Sequence, residues 1–424
     1  MSAIATPAAR PRRIRIGRGL AVWLAVVVGF IVAGGVAWLY QLSEGLRVTG
    51  LRNTMMWGQY ILFFMFFVGL SAGGLIVASA GRLFGVAAFK PISRLAVLEA
   101  TIAVLLAGMF IIPDLGRPER IVNILLHPNL TSPMIWDIAI VFVYLGLSAF
   151  YVWLYTRADL ARAGSPLAAG SGTSPAALER DERLKSALAW VALPAAILLH
   201  SITAWIFGLQ ISRGFWYTAL MAPMFIASAL VSGLGLVIVL ALILRRFRRL
   251  TFGNDLVAML GGLLGVFIAV QAFFLFAEFL TAAYPGAPGE AGPAHRMLTG
   301  PYAPMFWFEV LVGLGVPFAI LVVRRHRHSA RWVGLASVIA IVGIFVHRLN
   351  LLLNGLSFPP IGLPPGVSIG VAQGSGGSFA ESYWYAPTIV EWLIVGGVLA
   401  VGALLFTLAA LVLPLEERAA HDGG

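Results

Sequence analysis

The chain has 424 residues, no cysteine, 60% hydrophobic and only 11% charged residues, and a formal net charge of +11. A soluble domain carries roughly a quarter charged residues; here Leu, Val, Ala, Gly and Phe fill runs of about 20 residues, each able to cross a bilayer. Without cysteine the chain offers no disulfide, no iron-sulfur cluster, no thiolate zinc site and no cysteine nucleophile.

Apolar runs between charged or Pro/Gly-rich breaks predict ten spans, starting near Gly19, Trp57, Ile92, Pro133, Ser186, Ala222, Leu256, Tyr302, Trp332 and Ala386. The chain reads as an all-α polytopic membrane protein with both termini on one side. Arg12-Arg13 ahead of the first run imitates a twin-arginine export signal, but residues 19–42 are as long as a full span and no small-x-small cleavage site follows, so an uncleaved first helix is expected. After the third span, residues 113–129 begin with Pro and carry an apolar stripe that suits a short helix lying at the interface. Residues 163–175, rich in Gly, Ser, Ala and Pro, and the mixed-charge stretch 179–185 read as a flexible cytoplasmic loop without a site. Residues 284–300 and 355–385 are long and rich in Gly and Pro, and are where a peripheral partner would sit.

With the N-terminus cytoplasmic, 22 of the 29 Lys and Arg fall on the cytoplasmic side, six fall outside, and Arg348 lies at the outer end of the ninth span. That bias sets orientation in a bacterial cytoplasmic membrane and draws the chain to anionic lipid headgroups. It does not gather basic residues on one accessible face, as nucleic-acid binding requires.

The spans starting at Trp57 and Ala222 both run inward, and each places a Phe ahead of a small-residue string, at residues 67–74 and 225–235. Four spans separate them, which predicts two parallel four-helix bundles, spans two to five and six to nine, with peripheral first and last helices. The expected division is a basic cytoplasmic tail (1–18), the first helix and an outer loop (19–56), the first bundle (57–210), the second bundle (211–354), and an outer loop, tenth helix and cytoplasmic tail (355–424).

An ionisable side chain inside a span costs on the order of 3 kcal/mol or more, so each one requires a reason. Counting from the span ends places Asp137, His200, Glu278, His347, Arg348 and Glu391 in the outer third, Glu309 roughly 12 Å in, and Glu99 near the cytoplasmic side. One reading is that these groups snorkel or form interhelical ion pairs, for instance Arg348 with Glu391 or Glu278. The other is a pocket near the outer face where a His and a carboxylate exchange protons with a ligand clasped by aromatics, and Asp137 and His200 favour it. His200 and His347 are the two membrane histidines that axial haem ligation would need, but they lie in different bundles, so haem b is not expected. The remaining histidines, His127, His295, His326, His328 and His421, are scattered, so no metal set is expected. No Gly-rich loop ends in Gly-Lys-Ser/Thr, which argues against ATP-driven work.

Trp57-Gly58-Gln59-Tyr60, then Phe66-Phe67-Val68-Gly69-Leu70-Ser71-Ala72-Gly73-Gly74, Asp114-Leu115-Gly116-Arg117-Pro118 and Ser132-Pro133-Met134-Ile135-Trp136-Asp137 resemble the NrfD/PsrC family of integral membrane subunits. Gly214-Phe215-Trp216-Tyr217, Ala222-Pro223-Met224-Phe225, His347-Arg348-Leu349-Asn350 and residues 385–392 resemble its second half. The resemblance implies electron exchange between a membrane quinone, menaquinone or ubiquinone, and a four-cluster ferredoxin-like iron-sulfur subunit on the outer face. That partner would serve a molybdopterin catalytic subunit. It also implies quinone contacts at Gln59, Tyr60, Asp137 and His200, with a partner-docking loop around Asp114 and Arg117. Ten spans rather than the family's minimal eight place the chain nearer the subunits of some hydrogenases and of alternative complex III.

A quinol has a hydroxyl at each end of a ring, so its site needs an acceptor at each end and apolar walls between. Asp137 and His200 are the expected acceptors, with Trp57, Tyr60 and Trp136 as wall or hydrogen-bonding groups. Glu278, Glu309, His347, Arg348 and Glu391 are expected to carry protons in the second bundle, with Glu99 a thin continuation to the cytoplasm. Two other classes remain open: a proton-coupled carrier, which Pro194, Pro223 and Pro317 permit through kinking, and a passive membrane anchor.

Overall fold

A computed structural model describes residues 17–162, 164, 165, 168, 172–357 and 384–415. The basic tail before Gly17, most of the expected loop 355–385 and the last nine residues lie outside them. Among the described residues ten helices are long and apolar enough to cross a membrane. This follows from the solvent: hydrocarbon offers no hydrogen bonds, so each crossing must satisfy its backbone within itself.

The helices are α1 (Arg18–Glu44), α2 (Gln59–Leu83), α3 (Lys90–Asp114), the short α4 (Ile121–Leu126), α5 (Pro133–Arg162), α6 (Pro175–Gly208), α7 (Met221–Arg246), α8 (Asn254–Ala283) and α9 (Pro288–Leu298). The eighth crossing is broken into α10 (Ala303–Trp307), a π-helix (Phe308–Gly315) and α11 (Val316–Val322); α12 (Arg324–Arg327), α13 (Ala330–Ser357) and α14 (Ile389–Val412) complete the chain. Each predicted span has its helix, and α4 is the expected short helix. Two loop expectations are corrected. The mixed-charge stretch 179–185 is the first part of α6, which starts at Pro175 because Ser174 caps it, its hydroxyl accepting from Ala177 N. Residues 288–298, expected as loop, form α9, begun by Pro288.

One end of the molecule is rich in arginine; the other, the loop-rich end, carries the connections 45–58, 115–132, 209–220 and 284–302. α2, α3, α5 and α6 pack on one another, as do α7, α8, the broken eighth crossing and α13. We propose that these two sets are the two bundles. They meet where α2 crosses α7, and α2 is the most enclosed span. α1 packs mainly on α14, which leans on α3.

Glycine makes the crossings close. A Cβ on Gly34 would lie 2.7 Å from Gly397 Cα between α1 and α14, and one on Gly313 would lie 2.5 Å from Gly343 Cα between the π-helix and α13. Where α2 meets α7 in mid-span the backbones of Gly73 and Gly233 touch, and just beyond the loop-rich ends of the same two helices the Trp57 and Trp216 rings stack at 6.1 Å.

At the arginine-rich end, ion pairs close the first set. Arg157 Nε donates to Asp181 Oδ2 at 2.9 Å and a second arm of the guanidinium bonds Oδ1, joining α5 to the part of α6 expected as loop. Arg94 NH1 donates to Asp159 Oδ2 and to Pro414 O, both at 2.6 Å. Arg157 and Asp181 are both buried, so removing one partner strands a charge, at a cost of about 3–5 kcal/mol. Asp181→Ala is therefore expected to lower the thermal unfolding temperature of the detergent-purified protein markedly. The exposed pair Arg183–Glu179 is expected to show almost no effect when Glu179→Ala is measured in the same way.

Candidate functional site

In the first set, Asp137 lies about 6 Å into α5 and Thr203 about 7.5 Å from the end of α6, so the two meet at one level. Thr203 Oγ1 is 2.5 Å from Asp137 Oδ1 and 2.9 Å from Leu199 O, giving one hydroxyl proton two acceptors. His200 is one turn deeper on the same face of α6. Its Nδ1 is 2.8 Å from Ala196 O and its Nε2 2.9 Å from Val68 O on α2. Both contacts are to acceptors, so the ring turns no free lone pair to a ligand. Asp137 and His200 thus lie at one helix corner, where Thr203 rather than His200 touches the carboxylate. One more turn up α6, Phe207 packs edge-on to Trp57 at 5.4 Å and to Trp216 at 5.1 Å, with Phe225 at 6.0 Å. This aromatic cluster roofs the corner.

The start of α2 is held by a second network. Tyr60 Oη donates to Gln41 Oε1 at 2.6 Å, and Gln41 Nε2 donates to Pro113 O at 2.8 Å. Gln59 N donates to Tyr385 Oη at 2.7 Å; Tyr385 in turn donates to Glu391 Oε1 at 2.5 Å. Glu391 Oε2 accepts from Gly50 N at 2.7 Å and from Thr388 N at 2.8 Å, completing a capping box at the start of α14. Burial, and then the Glu391 carboxylate, push the Tyr385 phenol up. The Gln59 side chain is only 3% exposed, yet neither its Nε2 nor its Oε1 has a partner among the described residues. A buried polar group left unpaired costs about 1–3 kcal/mol, so this carboxamide stands ready to bond something from outside the chain.

Three expectations change here. Glu391 is not a second-set proton group: it ties α14 to the 45–58 connection and to Tyr385. Trp136 is no interior wall, being 37% exposed with its Nε1 donating to Leu130 O at 2.7 Å. Arg348 pairs with neither Glu391 nor Glu278 among the described residues. Instead its NH2 donates to Ser228 Oγ at 2.7 Å and its guanidinium lies 3.7 Å from the Phe225 ring centre. In the docking loop Arg117 is exposed, whereas Asp114 is half-buried with Oδ1 unpartnered among the described residues.

The second set repeats the first set's pattern. Glu309, on the π-helix, accepts from Asn350 Nδ2 at 2.8 Å and lies 2.8 Å from His347 Nδ1. An acid early in the third crossing of each set thus bonds the residue three positions after a His on the fourth: Asp137 with His200 and Thr203, Glu309 with His347 and Asn350. Glu278 lies within electrostatic reach of Glu309. Thr203 and Asn350 were missed by sequence reasoning, although the two His-x-x-polar spacings could have revealed them. Among the described residues no three His, Asp or Glu gather as a metal site. An apolar groove of about 820 Å³, lined by residues such as Leu275, Phe279, Phe306 and Trp307, opens between α8 and the broken crossing.

The sequence profile described as "Polysulphide reductase, NrfD" matches residues 47–360. The chain belongs to this family. It is 40% identical over 417 residues to a dimethyl sulfoxide reductase membrane subunit of Halobacterium salinarum, covering 96% of this chain and 95% of that one. It is 26% identical to a selenate reductase subunit of Mesobacillus selenatarsenatis, over 92% of this chain and 94% of the relative. It is also 26% identical to the Hdr-like menaquinol oxidoreductase integral membrane subunit of Archaeoglobus fulgidus, over 94% and 95%. This NrfD-family member is a multi-pass membrane protein.

Proposed function

We propose that the chain is the quinone-reactive membrane subunit of an oxidoreductase complex. It exchanges electrons between a membrane quinone, of the menaquinone or ubiquinone type, and an iron-sulfur subunit seated on the loop-rich end. That partner connects to a molybdopterin-type catalytic subunit. In this reading the arginine-rich end, with both termini, faces the cytoplasm. The chain has no cysteine to hold a cluster, so electrons leave through the partner and the chain alone does not turn over. The names of the reductase and menaquinol oxidoreductase relatives support the reading.

The observation that carries it is the unpaired Gln59 carboxamide at the loop-rich end of the first set. Its N–H groups can donate to a quinone carbonyl and its oxygen can accept from a quinol hydroxyl. Asp137, with Thr203 as its hydrogen-bonded neighbour, receives the proton that a quinol gives up. Trp57 and Phe207 supply apolar contact, Tyr60 braces α2 through Gln41, and His200 fixes α6 against α2. This reading assigns no haem to the chain; His200 spends both ring nitrogens on the carbonyls of Ala196 and Val68.

The test is to purify the chain with its partners, extract and identify bound quinone, and follow reduction of an artificial acceptor by a quinol analogue. Gln59→Leu is expected to raise KM about tenfold or more, the equivalent of one lost hydrogen bond to a buried group. Absence of any quinone, together with unchanged kinetics in Gln59→Leu, would refute the reading and favour a carrier or a passive anchor.

A further inference from the structure

The two sets differ in how they balance charge at the arginine-rich end. In the first set carboxylates meet the cations: Arg82 pairs with Glu182, Arg94 with Asp159 and Arg157 with Asp181. In the second set residues 245–249 and 324–331 hold eight arginines, and the stretches 245–255 and 323–332 include one acid, Asp255. Among the described residues none of the eight is in an ion pair. Positive charge left unbalanced at one end of a membrane bundle draws the anionic headgroups of the leaflet it faces.

One of the eight stands at the mouth of a groove. Arg327 is half-buried, its Nε is enclosed and unpartnered among the described residues, and its guanidinium lies against α8, where a Cβ on Gly262 would be 3.3 Å from NH1. A groove of about 470 Å³ opens there between α8 and α11, lined on α8 by the small residues Gly262, Gly265 and Ala269 and flanked by Phe273 and Phe318. Spacings of three and four put the small residues on one helix face. Ala269 and Phe318 also line the 820 Å³ groove, so the two are one furrow. Val266, Phe273 and Phe276 beside it are exposed, and in a membrane such a face meets lipid. From Gly262 to Tyr284 the furrow follows α8 for about 33 Å, roughly the thickness of the hydrocarbon core. Gly262, and Arg327 with it, therefore lies at the headgroup level of the arginine-rich side.

Lipid covers any apolar surface, so the furrow alone names no occupant; the cation at its end does. We propose that the part between α8 and α11 is a binding site for one anionic phospholipid of the leaflet at the arginine-rich end, with a hydrocarbon chain in the groove and its phosphate on Arg327. The length fits: half the hydrocarbon core is about 15 Å, and Gly262 to Phe273 is about 16.5 Å along α8. The girth fits as well. A groove of about 470 Å³ drawn out along Gly262–Phe274 is a few ångströms wide, which suits one hydrocarbon chain and not a helix about 10 Å across. Phosphate oxygens accept from guanidinium N–H groups in strong, charge-assisted hydrogen bonds. So placed, the lipid braces α8 against the broken eighth crossing, whose π-helix carries Glu309. The site is independent of the quinone reading.

Native mass spectrometry of the delipidated full chain, titrated with phosphatidylglycerol or with phosphatidylcholine, tests the charge. Phosphatidylglycerol is expected to bind about fivefold more tightly, which is what one arginine contributes beside an anionic surface. Arg327→Gln is expected to abolish that preference, whereas Arg246→Gln, exposed and outside the groove, is expected to keep it. Equal loss in both variants, or no preference in the wild type, overturns the site and leaves only the general attraction of a basic end. A phosphatidylglycerol with a photoreactive diazirine halfway along one chain tests the place. With the full chain in nanodiscs it is expected to label residues 262–274 and 318–322 above other lipid-facing segments. Ala269→Phe puts a ring into open groove, since Ala269 is exposed, and is expected to reduce that labelling about tenfold by filling the space the chain needs. Labelling spread evenly over the lipid-facing surface overturns the site. Labelling of the chain alone that vanishes in the complete complex overturns the lipid as occupant and gives the groove to a partner's helix.

Discussion

Asp137→Asn is expected to lower quinol-linked turnover by about 100-fold or more while the complex still assembles, since a positioned proton acceptor contributes 10²–10⁴ to a rate. Asparagine keeps the shape and can still accept from Thr203 Oγ1, now 2.5 Å from Asp137, so the helix corner survives while the proton acceptor is lost. The loss is expected in kcat rather than KM, because quinol binding does not depend on this charge. Thr203→Val separates the roles: it removes the neighbour and not the acceptor, and a smaller loss, about tenfold, is expected. Steady-state kinetics of the purified complex with a quinol analogue, alongside a gel showing that every partner is still present, decides the matter. Full activity in Asp137→Asn would make the corner a packing feature and return weight to the passive-anchor reading.

Gly233→Leu is expected to prevent stable assembly of the chain. A Cβ at Gly233 already lies 2.5 Å from Gly73 Cα and N and 2.7 Å from Leu70 O, so even the first carbon meets backbone rather than a movable side chain. Overpacking a yielding core costs about 1–3 kcal/mol; here the only relief is to separate α2 from α7, which parts the two sets and the Trp57–Trp216 stack together. Gly29→Leu on lipid-facing α1, where nothing lies within 4 Å, is the matched control and is expected to behave as wild type. Detergent-extracted yield and thermal unfolding of the three proteins check this, and a stable Gly233→Leu protein would mean the crossing is looser than described.

The two results probe different levels of information in the chain. Span number and starting points, the arginine partition and the family motifs were legible in the sequence, because each is local: a run of apolar residues is enough to place a helix in hydrocarbon, and charge flanks that run whatever it packs against. Asp137 and His200 were legible as ionisable groups in apolar runs, and the His-x-x-polar spacings were there to be read.

What only the tertiary structure decided is which way each helix turns. These spans are apolar nearly all round, since lipid and protein interior are equally apolar, so no stripe marks the inner face. Thus Trp136, one residue before Asp137, looks outward. Glu391 serves Gly50, 341 positions away, and Arg348 turns to Ser228 while its neighbour His347 meets Glu309. The charged stretch 179–185 read as loop because its compensation, Arg157 against Asp181, is a tertiary pair that composition alone does not announce. Glu99 looked solitary for the same reason. Its companions Tyr144, Ser79 and Tyr151 lie on two other helices, and only the close α2–α3 packing at small residues such as Gly74, with α5 seated on α3 and α6, brings them to one side of α2.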